Sequence, residues 1–90
     1  MHRILYHSAV VRDDIPKLDE ASKRRIRHAI EQKLTAAPET FGKPLRRSLK
    51  GYRKLRVGDY RVVFRIAGQT VYILAILHRS YVYEQSQRRV

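Results

Sequence analysis

The chain has 90 residues, 20 of them Lys or Arg against 8 Asp or Glu, for a formal charge of +12 at pH 7. That length allows one domain with one modest core, and so much positive charge at this size implies attraction to polyanions, nucleic acid before anionic membrane or an acidic protein. Cysteine is absent, which excludes a disulfide framework, a thiolate nucleophile and cysteine-ligated zinc, and fits a reducing cytosol.

In chain order, "RILY" at residues 3–6 reads as a short strand, and Ser8 offers a helix cap ahead of "AVVRDDI". Pro16 ends or kinks that helix, because it lacks an amide hydrogen and restricts the residue before it. Asp19 is placed to cap a second helix, in which Ile26, Ala29, Ile30 and Leu34 recur at spacings of three and four and form one narrow apolar stripe. Asp19 with Lys23, Glu20 with Arg24 and Arg27 with Glu31 stand four apart, which gives part of the helix's charge local partners. Pro38, Gly42 and Pro44 then make residues 35–45 a loop.

Three strands follow, at 52–57, 60–66 and 70–77, joined at Gly58 and Asp59 and at residues 67–69 by connections short enough for hairpins. Strand parity puts Tyr60, Val62, Phe64 and Ile66 on the face that meets the helices, and Arg61, Val63 and Arg65 on the other. The last strand, "VYILAIL", is apolar on both parities, as for a strand covered on both sides. It is also the longest apolar run, far too short to cross a bilayer, and no signal peptide is visible, so a soluble cytoplasmic protein without membrane contact is expected. The expected architecture is a single α+β domain over 1–90, with two layers, one face covered by helices and one open and cationic.

Residues 43–65 hold Lys43, Arg46, Arg47, Lys50, Arg53, Lys54, Arg56, Arg61 and Arg65 against the single acid Asp59. A solvated face usually mixes both signs, so this concentration points to phosphate binding. The strand end "HRSYVYE" then groups His78, Arg79, Tyr81 and Tyr83. Cleaving RNA through its own 2′-hydroxyl needs a proton acceptor, a donor to the leaving 5′-oxygen and cations for the phosphorane, and His78, Tyr83 and the group of Lys54, Arg56 and Arg61 could supply all three without metal or cofactor. No paired carboxylates, metal-ligand spacing or glycine-rich phosphate loop stand out. A non-catalytic RNA-binding or ribosome-binding module is the plainer alternative.

The segments "KPLRRSLKGYRKLRVGDYRVVFRI" and "VYILAILHRSYVYE" resemble the RelE branch of the RelE/ParE toxin superfamily, over nearly the whole chain. The resemblance implies a RelE-like fold, ordered β-α-α-β-β-β, with a largely antiparallel sheet on two helices and a short C-terminal helical tail. It implies a ribosome-dependent, metal-independent endoribonuclease that cleaves translated mRNA in the A site and leaves a 2′,3′-cyclic phosphate and a 5′-hydroxyl. A cognate antitoxin that wraps the toxin in a heteromeric complex is implied as well. Lys54, Arg56, Arg61, His78, Arg79 and Tyr83 match the family's catalytic positions, and Arg46 its basic residue after "KPL"; Arg47, Lys50, Arg53 and Arg65 join Arg46 as expected contacts to RNA or ribosome. ParE-like members share the fold but poison DNA gyrase without cutting RNA.

Overall fold

The computed structural model describes residues 1–90. Its elements are β1 (Arg3–Tyr6), α1 (Glu20–Ala29), α2 (Pro38–Phe41), β2 (Lys43–Pro44), β3 (Arg53–Val57), β4 (Tyr60–Ala67), β5 (Thr70–His78) and α3 (Val82–Gln87). The sheet runs β1-β5-β4-β3-β2, with β1 parallel to β5 and every other pair antiparallel. This is the expected α+β arrangement, with two elements that were read as loop. The span 35–45 holds the helical turn α2 and the two-residue edge strand β2, where Pro44 is tolerated because an edge needs no amide hydrogen on its outer side.

The helical layer departs from expectation in its caps. Ser8 caps nothing; His7 Nδ1 accepts the Ala9 amide at 3.0 Å instead, and a wide π-type turn (Val10–Asp14) runs into a 3₁₀ turn (Ile15–Lys17) that contains Pro16. Asp19 does cap α1, accepting the Ser22 amide at 3.3 Å, and the bonds from Ser22 hold its carboxyl below the usual carboxylate range. Its carboxylate is thereby committed to the backbone, and Lys23 turns to Glu20 at 3.5 Å rather than to Asp19. Beyond Ala29 the helix widens through Ile30–Leu34, and Ile26, Ala29, Ile30 and Leu34 are all buried as their spacing required.

The helix-facing side of the sheet contributes Leu55, Val62, Phe64, Val71, Ile73 and Ile76 to one apolar cluster. The opposite face is not the open one that parity suggested. Val63, Leu74, Ala75 and Leu77 meet Leu45, Leu49 and Val82 in a second cluster, roofed by α3 and the 3₁₀ turn Arg47–Leu49. A bulge in β5 makes this possible: the register steps from Val63↔Ala75 to Phe64↔Ile73, so Leu74 is an extra residue and lies with Ala75 on the α3 side. The β2-β3-β4 end of that face remains open, and there Lys43, Lys54, Arg56 and Arg61 collect.

Asp14 ties the layers together. Its buried carboxylate accepts the Ile76 amide at 2.9 Å and both Arg89 amino groups at 2.6 and 2.7 Å, while Arg89 also donates to the Leu74 carbonyl at 3.0 Å. The chain beyond α3 is thus pinned to the bulge.

Candidate functional site

The hairpin between β3 and β4 sets the register of the site. Gly58 adopts φ +60° in a two-residue turn with Asp59, so Val57 faces Tyr60, Arg56 faces Arg61 and Lys54 faces Val63. On the other side of β3, Lys54 faces Lys43. Two pairs of like charges therefore stand directly opposite across adjacent strands, an arrangement that opposes folding in the absence of a counter-charge. Arg61 is held by two carbonyls, those of Gly58 at 3.0 Å and Tyr60 at 2.9 Å.

Over Lys54 stands Tyr83, carried on α3 next to the buried Val82. Lys54 Nζ donates to its hydroxyl oxygen and lies 5.0 Å from its ring centroid. Because Lys54 occupies an acceptor position of the phenol, the Tyr83 O–H remains free to donate to a ligand. Tyr83 is 44% exposed.

Two recesses flank this contact and share Lys43 and Lys54. One, of about 450 Å³, is lined by Lys43, Arg46, Arg47, Lys54, Tyr83 and Gln87, with Pro44, Leu45 and Leu49 beneath. The other, of about 390 Å³, is lined by Lys33, Phe41, Lys43, Lys54, Leu55, Arg56 and Arg61. No acid lines either. Arg47 takes φ +57°, a left-handed conformation unfavourable for a side chain other than glycine, at the rim of the first recess.

Of the residues singled out in the sequence, Lys54, Arg56, Arg61, Tyr83, Arg46 and Arg47 come together here. His78 does not. It pairs with Tyr60, whose ring it meets edge-on at 5.7 Å on the helix-facing side, and its Nδ1 is engaged by the Ser80 hydroxyl at 2.9 Å and amide at 3.1 Å. The β5 bulge explains this, since Leu77 is turned to the second cluster and His78 to the opposite face. Arg79 stands at the Gly58–Asp59 turn, its amide on the Asp59 carbonyl at 2.8 Å and its guanidinium 3.9 Å from the Asp59 carboxylate, both side chains exposed.

Arg53 points the other way, donating to the carbonyls of Glu39 at 2.9 Å and Gly42 at 3.0 Å. Arg65 lies over the Tyr72 ring at 4.3 Å, in a separate recess with Tyr6 and Tyr52. Lys50 is exposed after the 3₁₀ turn and lines neither recess. Sequence reasoning gave no role to Lys33 or Phe41. Lys33 lies in the helix, away from the basic run, and Phe41 in a Pro- and Gly-containing stretch taken for loop; an aromatic beside lysine in such a stretch was the available signal.

Comparison with known proteins agrees with this geometry. Residues 3–83 match the family model described as the ParE toxin of type II toxin–antitoxin systems. The chain is 34% identical over 89 residues to Toxin RelE of Mycobacterium tuberculosis, covering 93% of this chain and 92% of that protein. It is 43% identical over 54 residues to Toxin RelG of the same organism, covering 58% of this chain and 62% of that protein, so this match spans less than two thirds of RelG. Among solved structures, a chain of the RelBE2 toxin–antitoxin complex from M. tuberculosis superposes with a TM-score of 0.79 at 32% identity, over 87% of this chain and 98% of that one. A chain of the RelB–RelE complex of Methanococcus jannaschii gives 0.69 at 23% identity over 89% and 95%, a likeness of fold. These matches place the chain among the toxins of type II toxin–antitoxin systems. This chain belongs to the RelE/ParE toxin superfamily and is RelE-like.

Proposed function

We propose that the chain is a ribosome-dependent endoribonuclease that cleaves translated mRNA at the Lys54–Tyr83 cleft. The observation that carries this reading is the run of opposed cations, Lys43 with Lys54 and Arg56 with Arg61, which meets at Lys54 a tyrosine with a free O–H. In the reaction the RNA's 2′-oxygen attacks phosphorus as its proton leaves to an acceptor. The P–O5′ bond breaks, the 5′-oxygen gains a proton, and a 2′,3′-cyclic phosphate and a 5′-hydroxyl result. Lys54, Arg56 and Arg61 neutralise the charge that grows on the phosphorane, and Tyr83 donates to the departing oxygen. Arg79, whose exposed pair with Asp59 is weak, can exchange that carboxylate for RNA phosphate.

His78 serves in this reading as a structural residue that shapes the turn to α3. Tyr83→Phe is expected to lower the single-turnover rate on programmed ribosomes by roughly 10²-fold or more while affinity is largely kept. His78→Ala should change that rate far less. An unchanged rate in Tyr83→Phe would remove the tyrosine from the chemistry, and a His78→Ala loss equal to that of Tyr83→Phe would restore the histidine to it.

Arg46, Arg47 and Lys50 serve as contacts to ribosomal RNA, because they lie on an exposed turn between β2 and β3. The partner is an antitoxin with acidic segments that cover the cleft. The matched complexes of M. tuberculosis and M. jannaschii, each of a toxin with its antitoxin, support an antitoxin partner, and the acid-free cleft is the ground for its acidic character. A second reading has one specific support, the match to a ParE toxin model over residues 3–83: a gyrase poison would leave mRNA intact and stall DNA replication.

A further inference from the structure

Phe41 is 43% exposed on a domain with little core to spare, and its placement is enforced. The Arg53 guanidinium donates to the carbonyls on either side, Glu39 and Gly42. A Cβ on Gly42 would come within 2.4 Å of the Phe64 ring, so the chain there is pressed onto the core with only a glycine between. Lys33 Nζ lies 5.5 Å from the Phe41 ring centroid. The backbone that carries the ring is thereby held, and the ring forms a wall of the recess that holds Lys54, Arg56 and Arg61. That recess has about 390 Å³, within the range of pockets that take small-molecule ligands, roughly 300–1,000 Å³. It opens along the edge of β3, which β2 covers only at Arg53 and Lys54.

We propose that Phe41 is a stacking platform for an unpaired RNA base, a subsite that holds the nucleotide next to the phosphate bound by Lys54, Arg56 and Arg61. The proposal rests on the RNA-cleaving reading and names how the cleft would seat its substrate. An aromatic face among cations without a carboxylate suits a nucleotide, because the base takes the ring and the phosphate takes the charge. A peptide docking through apolar side chains would need an apolar surround that this recess, lined by five cations, does not offer. Stacking on a purine should be favoured over a pyrimidine, since overlap grows with the area of the base. Arg53, set on the core-facing parity of β3, gains a reason for its position: it holds the platform.

The test uses a short single-stranded RNA with 2-aminopurine at one position, whose fluorescence is quenched on stacking, and the purified chain without ribosomes. The parent protein and Phe41→Tyr should quench it; Phe41→Leu should not, and should bind about tenfold more weakly. With an abasic residue in place of the purine, parent and Phe41→Leu should bind alike. Equal quenching and affinity for parent and Phe41→Leu, or an absence of quenching with the parent, overturns the subsite. Cleavage on programmed ribosomes, followed in parallel, separates the two readings. Phe41-dependent quenching without any cleavage keeps the subsite and rejects the nuclease, whereas cleavage with Phe41→Leu indistinguishable from parent in binding does the reverse.

Discussion

At the scale of single residues, the cleft is built from side chains and backbone that folding alone would not select. Arg56 faces Arg61, and Arg47 holds φ +57°. Replacing Arg56 by Thr removes a cross-strand repulsion of roughly 0.2–1 kcal/mol, so the urea midpoint should rise slightly while RNA affinity falls. A stability loss in that variant would mean that the pair is not repulsive in the fold. Arg47→Gly relieves a left-handed conformation that costs roughly 1–2 kcal/mol, offset by roughly 0.5–1 kcal/mol of extra chain entropy, for a net gain of up to about 1.5 kcal/mol with weaker ribosome binding. Ser86 is a contrast outside the cleft: it is fully buried and its hydroxyl has no partner. Ser86→Ala should be neutral or stabilise by up to about 1 kcal/mol in the same titration, because the apolar replacement leaves nothing unsatisfied. The identities of Lys54, Arg56, Arg61 and Tyr83 were legible in the sequence because charge density and motif both marked them. The separation of His78 from Tyr83 was not, because a side chain's face depends on the strand register behind it.

At the scale of elements, α3 must stay docked for Tyr83 to reach Lys54. Its own contacts are few: Val82 and Ser86 are its buried residues, and Arg89 beyond its end bridges to Asp14 at 2.6 Å. Arg89→Ala leaves a buried carboxylate without its charge partner, a loss on the order of 3–5 kcal/mol. The expected result is earlier proteolysis near the C-terminus and a cleavage rate as low as that of Tyr83→Phe, although Tyr83 is intact. Arg89→Lys keeps the charge without the two-pronged geometry and should fall between. If Arg89→Ala cleaves as the parent does, the bridge does not position α3. The helical tail itself was expected from the family resemblance, but its tie to Asp14 was not visible beforehand. The β5 run is apolar on both parities, which correctly implied cover on both faces but concealed the bulge at Leu74; with the bulge unseen, the face bearing Val63 read as open. The strands and the α1 stripe were legible because their periods are carried by many residues, whereas β2 spans only Lys43–Pro44 and has no period to read.

At the scale of the whole molecule, a charge of +12 is spread so that seven cations, Lys33, Lys43, Arg46, Arg47, Lys54, Arg56 and Arg61, line two joined recesses free of acids. Single-stranded RNA should therefore bind with a steep salt dependence, and each of Lys43→Ala and Lys54→Ala should flatten the double-logarithmic slope by about 0.7. Slopes equal to that of the parent would place those lysines outside the phosphate path. The same field should draw an acidic antitoxin, and calorimetry in rising salt should show its binding weaken; indifference to salt would contradict an electrostatic role. No helix of the chain is long and apolar enough to cross a membrane. The fold of this family supports more than one activity, so the decisive measurement is primer extension on an mRNA incubated with the purified protein, with and without translating ribosomes, beside the Tyr83→Phe variant. Cuts that require the ribosome and fade in the variant are the expected result. Intact mRNA under translation would contradict the endoribonuclease account, and stalled DNA replication alongside it would turn the reading to a gyrase poison.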